Sequence, residues 1–412
     1  MSTRQSVSLV IADTFCQLSL CTLAPQSATV GLTFNEIGAP DGRGGRKPAF
    51  GPVTDRVRTE TTGPGQRFRK NAARALGRWP HTYSALDLGT NNCRLLIAKP
   101  TRRGFRVVDA FSRIVRLGEG LGQSGELSAA AMDRAISALE ICARKMQRRG
   151  VSRAHNVATA ACRQAANGAA FAAKVLVETG IELNIISPAE EARLAVAGCL
   201  PLLDHTSRNA LVFDVGGGST ELIWLDLANR RNPDILAWTS MSHGVVSLSE
   251  KYGGLEISPG AYAAMVAEVR AHLQGFEQEH NLRSHFDAGT VQMLGMSGTV
   301  TTLAGVHMGL RRYDRSLVDG VWTPVSEMRA VARQLSEMDY AARVAVPCIG
   351  QERADLVVAG CAILEAITDL WPASALRVAD RGLREGILTM LMRQDDRPAT
   401  AAHQRDTRAA LL

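Results

Sequence analysis

From Tyr83 onward, short apolar runs alternate with longer stretches in which apolar residues recur every three or four positions. The runs suit buried strands and the longer stretches suit amphipathic helices, so the pattern predicts an alternating α/β architecture. Tyr83–Leu88 and 92–99 read as two strands joined by a tight glycine turn, and 105–117 continues the sheet. Ser128 stands where a helix N-cap is needed, ahead of a stripe formed by Met132, Ile136, Leu139, Ala143 and Met146. A strand at 156–159, a helix near 169–178, a strand at 181–187 and a helix from Pro188 follow.

The opening pattern then recurs. Ala85-Leu86-Asp87-Leu88-Gly89-Thr90-Asn91-Asn92 precedes one apolar strand, and Phe213-Asp214-Val215-Gly216-Gly217-Gly218-Ser219-Thr220 precedes another at 221–227. Each is an apolar strand, an Asp-x-Gly, a small polar turn and a returning strand. The two aspartates lie 127 residues apart, about one small domain. Glycines let a backbone approach a phosphate closely and aim N–H groups at it, hydroxyls add donors, and an aspartate ahead of the loop can hold a divalent cation. One Asp-x-Gly is ordinary turn chemistry. Two copies at domain spacing point to a pair of phosphate loops facing each other across a cleft.

Two further segments carry candidate chemistry. Leu294-Gly295-Met296-Ser297-Gly298-Thr299 leads into a helix predicted over 300–309, either as an anion site at a helix N-terminus or as a plain turn capped by Thr299. Ser187-Pro188-Ala189-Glu190 reads as N-cap, proline at the first position and a capping-box glutamate. Glu190 then has a structural task and Glu191 is left free, although acids favour helix starts in any case.

Composition adds mostly exclusions. The chain of 412 residues is long for one domain, and 46% of it is hydrophobic, enough for a sizeable core. No run approaches the roughly 20 apolar residues of a membrane-spanning helix. The eight cysteines form no C-x-x-C pair and the nine histidines no H-x-x-x-H pair, so reduced thiols in a cytoplasm are expected and a structural metal is not. The net charge of +7 is uneven: residues 1–80 hold eleven Lys/Arg against five Asp/Glu. Residues 1–81 are therefore expected to be a disordered basic extension, dispensable or the product of an early start codon. A role as an arm for RNA or another polyanion is the alternative. A faint signal-like core at 6–24 is broken by Asp13.

Taken together, several segments resemble the exopolyphosphatase / guanosine pentaphosphate phosphatase family. They are 87–92, Ala158-Thr159 with Arg163, Asn167-Gly168, Glu190-Glu191-Ala192-Arg193, 214–221, Ser242-His243-Gly244, 295–299 and Gly382-Leu383-Arg384-Glu385-Gly386. They stand in family order over about 82–392, in the manner of the family's short form. The resemblance implies a two-domain actin-like ATPase (ribonuclease H-like) fold with an interdomain cleft, with domain I at 82–196, domain II at 197–395 and a tail at 396–412.

It further implies Glu191 as the base that activates water, Glu221 as a second acid near the centre, and Arg163 as a partner of substrate phosphate. Asp87, Asp214 and Glu221 become the candidates for Mg²⁺, or Mn²⁺. Asn91, Gly216, Gly217, Gly218, Ser219, Ser297, Gly298 and Thr299 become phosphate contacts, while for His243 a structural hydrogen bond and a catalytic part both stay open. Asn92 departs from the serine many members carry. The implied activity is release of terminal orthophosphate from inorganic polyphosphate, with guanosine pentaphosphate as the alternative substrate. An actin-like kinase or ATPase and a non-catalytic polyphosphate binder are the more distant readings. A cytoplasmic enzyme is expected, with no membrane partner, no nucleic acid except through the basic tail, and an organisation compatible with a homodimer.

Overall fold

The computed structural model describes residues 81–102, 104–204, 206–229 and 232–395. The expectations for 1–80 and for the 396–412 tail lie outside the described residues. Among the described residues, eleven strands form two sheets: β1 (Tyr83–Leu88), β2 (Asn92–Thr101), β3 (Gly104–Ile114), β4 (Arg153–Ala158) and β5 (Asn184–Ile185) in the first, and β6 (Asn209–Val215), β7 (Thr220–Asp226), β8 (Asp234–Met241), β9 (Val291–Met296), β10 (Trp322–Pro324) and β11 (Ala375–Ala379) in the second. The orders are β3-β2-β1-β4-β5 and β10-β11-β9-β6-β7-β8. Apart from the edge strand β10, the second sheet repeats the first: an antiparallel three-strand meander, then two parallel strands reached through helices. This is the duplication that the paired Asp-x-Gly patterns predict, in the two-sheet form that the resemblance implies.

Strand periodicity fixes which face each aspartate occupies. In β1, Leu86 and Leu88 enter a core with Ile136, Leu139, Phe171 and Val175. Tyr83 and Ala85 enter another, with Leu194, Ile387 and Leu388. Asp87 shares the second face by the two-residue repeat. In β6, Leu211 and Phe213 join the large second core, whereas Ala210 and Val212 pack with Ala192, Ala195, Val196 and Cys199. Asp214 shares that face. The helix Pro188–Cys199 therefore lies between the two sheets and gives apolar residues to both.

The helix Leu383–Asp395 is its companion. The boundary expected at 197–395 assigns this helix to domain II, but its Ile387 and Leu388 pack on the first sheet. The two helices touch backbone to backbone. A Cβ on Gly386 would stand 1.8 Å from the Leu194 carbonyl oxygen, and one on Gly198 would stand 1.9 Å from that of Gly382.

Local expectations hold with adjusted ends. Ser128 Oγ accepts from Ala131 N at 3.2 Å, and the stripe it introduces is buried through Ile136 and Leu139. The third strand stops at Ile114 rather than running to 117. Only Asn184–Ile185 pairs within 181–187, although Ile181, Leu183 and Ile186 are buried. The helix expected from residue 300 starts at Ser297, so Thr299 sits inside its first turn and is not its cap. Among the described residues, no helix is long and apolar enough to cross a membrane.

Candidate active site

The two Asp-x-Gly loops are built alike. Gly89 N donates to Asn92 O at 2.9 Å and Gly216 N to Ser219 O at 3.0 Å, closing equivalent hairpin turns. Amides from neighbouring segments then occupy the loop carbonyls from behind. Val115 N and Arg116 N donate to Asn91 O, and Gly118 N donates to Thr90 O. Val245 N donates to Gly216 O and Val246 N to Gly217 O. In a trans peptide the N–H points opposite to the C=O, so Asn91, Asn92, Gly217 and Gly218 turn their amides away from these supports. The glycines are needed because the loops meet: a Cβ on Gly217 would stand 3.0 Å from Thr90 Cβ, and one on Gly218 would stand 2.6 Å from Thr90 Oγ1.

Four carboxylates gather beside the loops. Asp87 and Asp214 end equivalent strands, and Arg94 and Glu221 lie directly across from them in the two hairpins. Glu191 starts the interdomain helix, where Ser187 Oγ caps by accepting from Glu190 N at 3.2 Å. Arg163 Nη1 donates to Glu191 Oε2 at 3.1 Å and to Ile186 O at 2.8 Å. Burial raises the Glu191 carboxyl well above its ordinary range, and the nearby Glu221 charge adds to the shift against Arg163. Burial also pushes Asp214 up to about 7, with Glu221 contributing, and raises Asp87. Glu221 is raised by burial against the hydrogen bonds of Ser219 and Ser240, which donate to its Oε1 at 2.7 and 2.8 Å.

A cleft of about 410 Å³ opens onto these groups. Asp87, Asn91, Glu191, Asp214, Gly216, Gly217, Gly218, Ser219, Ser297 and Gly298 line it, so most of the residues singled out by sequence converge. Three stand apart. Glu221 is buried behind Ser219 and does not line the cleft, and Thr299 packs its side chain toward Gly360. Arg163 faces a neighbouring cavity and is committed to Glu191 through one nitrogen. Ser219 spends its proton on Glu221.

The cleft also contains groups that sequence reasoning missed: Arg94, Arg315, Arg353, Arg381 and Arg384. Arg315 bonds Glu385 at 2.7 Å, Arg381 pairs with Asp319, and Arg353 bonds Thr302 at 2.8 Å. Arg94 and Arg384 have no side-chain hydrogen bond or ion pair among the described residues. Arg384 stands inside the quoted 382–386 motif and Arg381 just before it, Arg94 lies two residues past the quoted 87–92 segment, and Arg315 and Arg353 come from separate segments with no local pattern.

His243 does not line the cleft, and its contacts are structural ones. Its Nε2 meets Glu268 Oε1 at 2.7 Å, and its carbonyl accepts from Thr220 Oγ1 at 2.6 Å. Gly244 follows because a Cβ there would stand 2.3 Å from the Gly217 carbonyl carbon. The segment braces the second loop from behind.

No three His, Cys, Asp or Glu side chains among the described residues converge tightly enough to hold a metal alone. Asp87 and Asp214 nonetheless present buried carboxylates with no ion-pair partner among the described residues, beside loops shaped for anions. That donor set fits a hydrated Mg²⁺ completed by water and phosphate oxygens, and not a caged structural ion.

Comparison with known proteins agrees with the geometry. A family model described as the Ppx/GppA phosphatase family matches residues 96–395. A guanosine-5'-triphosphate,3'-diphosphate pyrophosphatase of Pseudoalteromonas translucida is 28% identical over 316 residues, covering 76% of this chain and 59% of that protein. The chain thus spans somewhat over half the length of that relative. A Haemophilus influenzae protein with a provisional exopolyphosphatase name is 27% identical, over 75% of this chain and 90% of its own. Among solved structures, an exopolyphosphatase-like protein is 27% identical with a TM-score of 0.68, covering 76% of this chain and 98% of that one.

Proposed function

The chain belongs to the Ppx/GppA phosphatase family, and from that premise we propose that it removes terminal orthophosphate from inorganic polyphosphate by direct attack of water. The observation that carries this reading is Glu191: a largely buried carboxylate, oriented by Arg163, at the edge of a cleft between two glycine loops. Its raised proton affinity suits a group that must take a proton near neutral pH.

In the proposed reaction, a water beside Glu191 attacks the terminal phosphorus and gives its proton to that carboxylate. The P–O bond to the penultimate phosphate breaks, and its electrons leave on the shortened chain. Amides of Asn91, Gly217 and Gly218 stabilise charge on the transferring group. Ser219 donates to Glu221, which leaves its lone pairs to accept a hydrogen from the attacking water. Glu221 therefore acts through Ser219 and Ser240. Mg²⁺ held by Asp87 and Asp214 would neutralise phosphate oxygens that four clustered carboxylates otherwise repel. Arg94 and Arg384, with no side-chain hydrogen bond or ion pair among the described residues, suit the phosphates further along the chain.

A gel ladder of long-chain polyphosphate digested in Mg²⁺ tests this. Steady loss of orthophosphate from the ends, without mid-length fragments, is expected; mid-length fragments would contradict end-wise attack. Guanosine pentaphosphate is the second reading, supported by the name and the 28% identity of the Pseudoalteromonas relative. Among the described residues, five arginines line the cleft, which favours a repeating anion over a nucleotide, whose base seeks an aromatic face; Tyr313, the one aromatic among those lining residues, bonds Asp380 at 2.6 Å.

A further inference from the structure

The catalytic region opens in a second direction. A cavity of about 430 Å³ lies at the outer edge of β8, bounded on the other side by Arg163, Gln164 and Pro188. Among the described residues it shares only Ser219 with the arginine-lined cleft. Arg163 and Ser219 thus stand between the two spaces: each lines the second cavity, while Arg163 bonds Glu191 on the cleft side.

The two spaces differ in chemistry. The cleft carries five arginines, enough for a chain of phosphates. Among the described residues, the second cavity has one charged lining residue, Arg163, beside short donors such as Thr239, Ser242 and Gln164. Arg163 Nη1 serves Glu191 and Ile186, while its Nε and Nη2 make no hydrogen bond among the described residues. That leaves one guanidinium edge for two oxygens of an anion. One cation ringed by hydroxyls fits a lone phosphate and offers nothing to hold a polymer.

An enzyme that trims a polymer from its end faces a traffic problem. If the shortened chain keeps its place in the cleft, the orthophosphate cut from its tip has no way back past it. We propose that orthophosphate leaves through the cavity at β8, handed over by Arg163, while the shortened chain stays in the cleft for the next cycle. The proposal rests on the polyphosphate reading above and extends it to product release.

The test separates bond cleavage from release. Gln164 and Ser242 are exposed at the mouth of the cavity and take no part in the proposed chemistry. Gln164→Trp and Ser242→Trp each fill the opening. With the full chain, Mg²⁺ and long-chain polyphosphate, acid-quenched samples read phosphate formed, and a phosphate-sensing protein reads phosphate released. Both variants should form the first phosphate at the wild-type rate and release it about tenfold more slowly, giving a burst. They should also let go of the chain more often between cuts. Wild-type release in both variants, with cleavage intact, would overturn the exit route and leave the polyphosphate reading standing. Failure of the wild-type protein to form phosphate at all would overturn both. Two independent positions guard against a folding defect in either one, which a thermal melt would reveal.

Discussion

Gly218 illustrates how closely the site is set by single residues. Its absent side chain leaves room for Thr90 of the other loop, since a Cβ would stand 2.6 Å from Thr90 Oγ1 and 3.3 Å from Ala160 Cβ. Gly218→Ala should push the loops apart and lower kcat/KM about tenfold or more, at a folding cost of about 1–3 kcal/mol. Steady-state kinetics alongside a denaturant melt would separate the two effects. Arg94→Ala makes a different prediction, because Arg94 has no side-chain hydrogen bond or ion pair to lose among the described residues. It should raise KM for polyphosphate by about ten- to a hundredfold, as expected for one charge-assisted contact of about 1.5–3 kcal/mol, and change kcat less. Michaelis kinetics at fixed salt would check it. At this scale the sequence was informative wherever function sits in a contiguous motif. Asp87, Glu191 and Asp214 are legible because glycine loops and helix caps have short-range signatures. Arg315 and Arg353 were not, since they reach the cleft from segments that only tertiary folding brings together, and Arg381 stands just outside the quoted 382–386 motif. Glu221 and Ser219 were recognised as site residues, but their mutual bond, which turns Ser219 from a donor to phosphate into an acceptor, depends on a side-chain contact no pattern encodes.

Elements act as braces for these residues. The helix Val245–Lys251 places its first amides on Gly216 and Gly217 carbonyls, and it is tied through His243, Lys251 and Tyr252 to Glu268 on the helix Pro259–His280. The His272 ring packs at a tilt of 54° against the His243 ring, with centroids 4.2 Å apart. Burial pushes the Glu268 carboxyl up, but Lys251, Tyr252 and His243 outweigh it and hold the group down at about 2, from an ordinary 4.5. A carboxylate depressed in the folded state stabilises it above its unfolded pKa and loses that contribution as pH falls toward the folded value. The stability difference between wild type and Glu268→Gln should therefore be full above about pH 4.5 and shrink steadily toward pH 2, as read by denaturant melts at several pH values. A second prediction concerns the crossing helices. Gly386→Ala would drive a methyl into the Leu194 carbonyl, which can only be relieved by moving a helix that touches both sheets. A loss of about 1–3 kcal/mol in folding stability is expected from chemical denaturation. Most elements were readable from periodicity, including the Ser128 cap and both hairpins. The short pairing at Asn184–Ile185 and the docking of Leu383–Asp395 on the first sheet were not, because the first is set by an edge and the second by contacts nearly 300 residues apart.

For the molecule as a whole, duplication is the organising fact. Two sheets of one topology put Asp87 and Asp214 at equivalent strand ends, and their facing surfaces share the Pro188–Cys199 helix. Opposed glycine loops flank the connecting helix, which carries Glu191. The repeated Asp-x-Gly pattern made this architecture legible, because each copy marks the same turn in its sheet. Where the two copies differ, function enters: the residue across from Asp87 is Arg94, whereas the one across from Asp214 is Glu221. The measurement that bears most directly on the central claim is orthophosphate release by the full chain, with Mg²⁺, from long-chain polyphosphate and from guanosine pentaphosphate side by side, repeated with Glu191→Gln. Faster release from polyphosphate is expected, with a loss of about 10²–10⁴-fold in the variant, polyphosphate binding retained, and no release when Mg²⁺ is chelated. Wild-type turnover in Glu191→Gln would contradict the assignment of the base, and faster release from the nucleotide would contradict the assignment of the substrate.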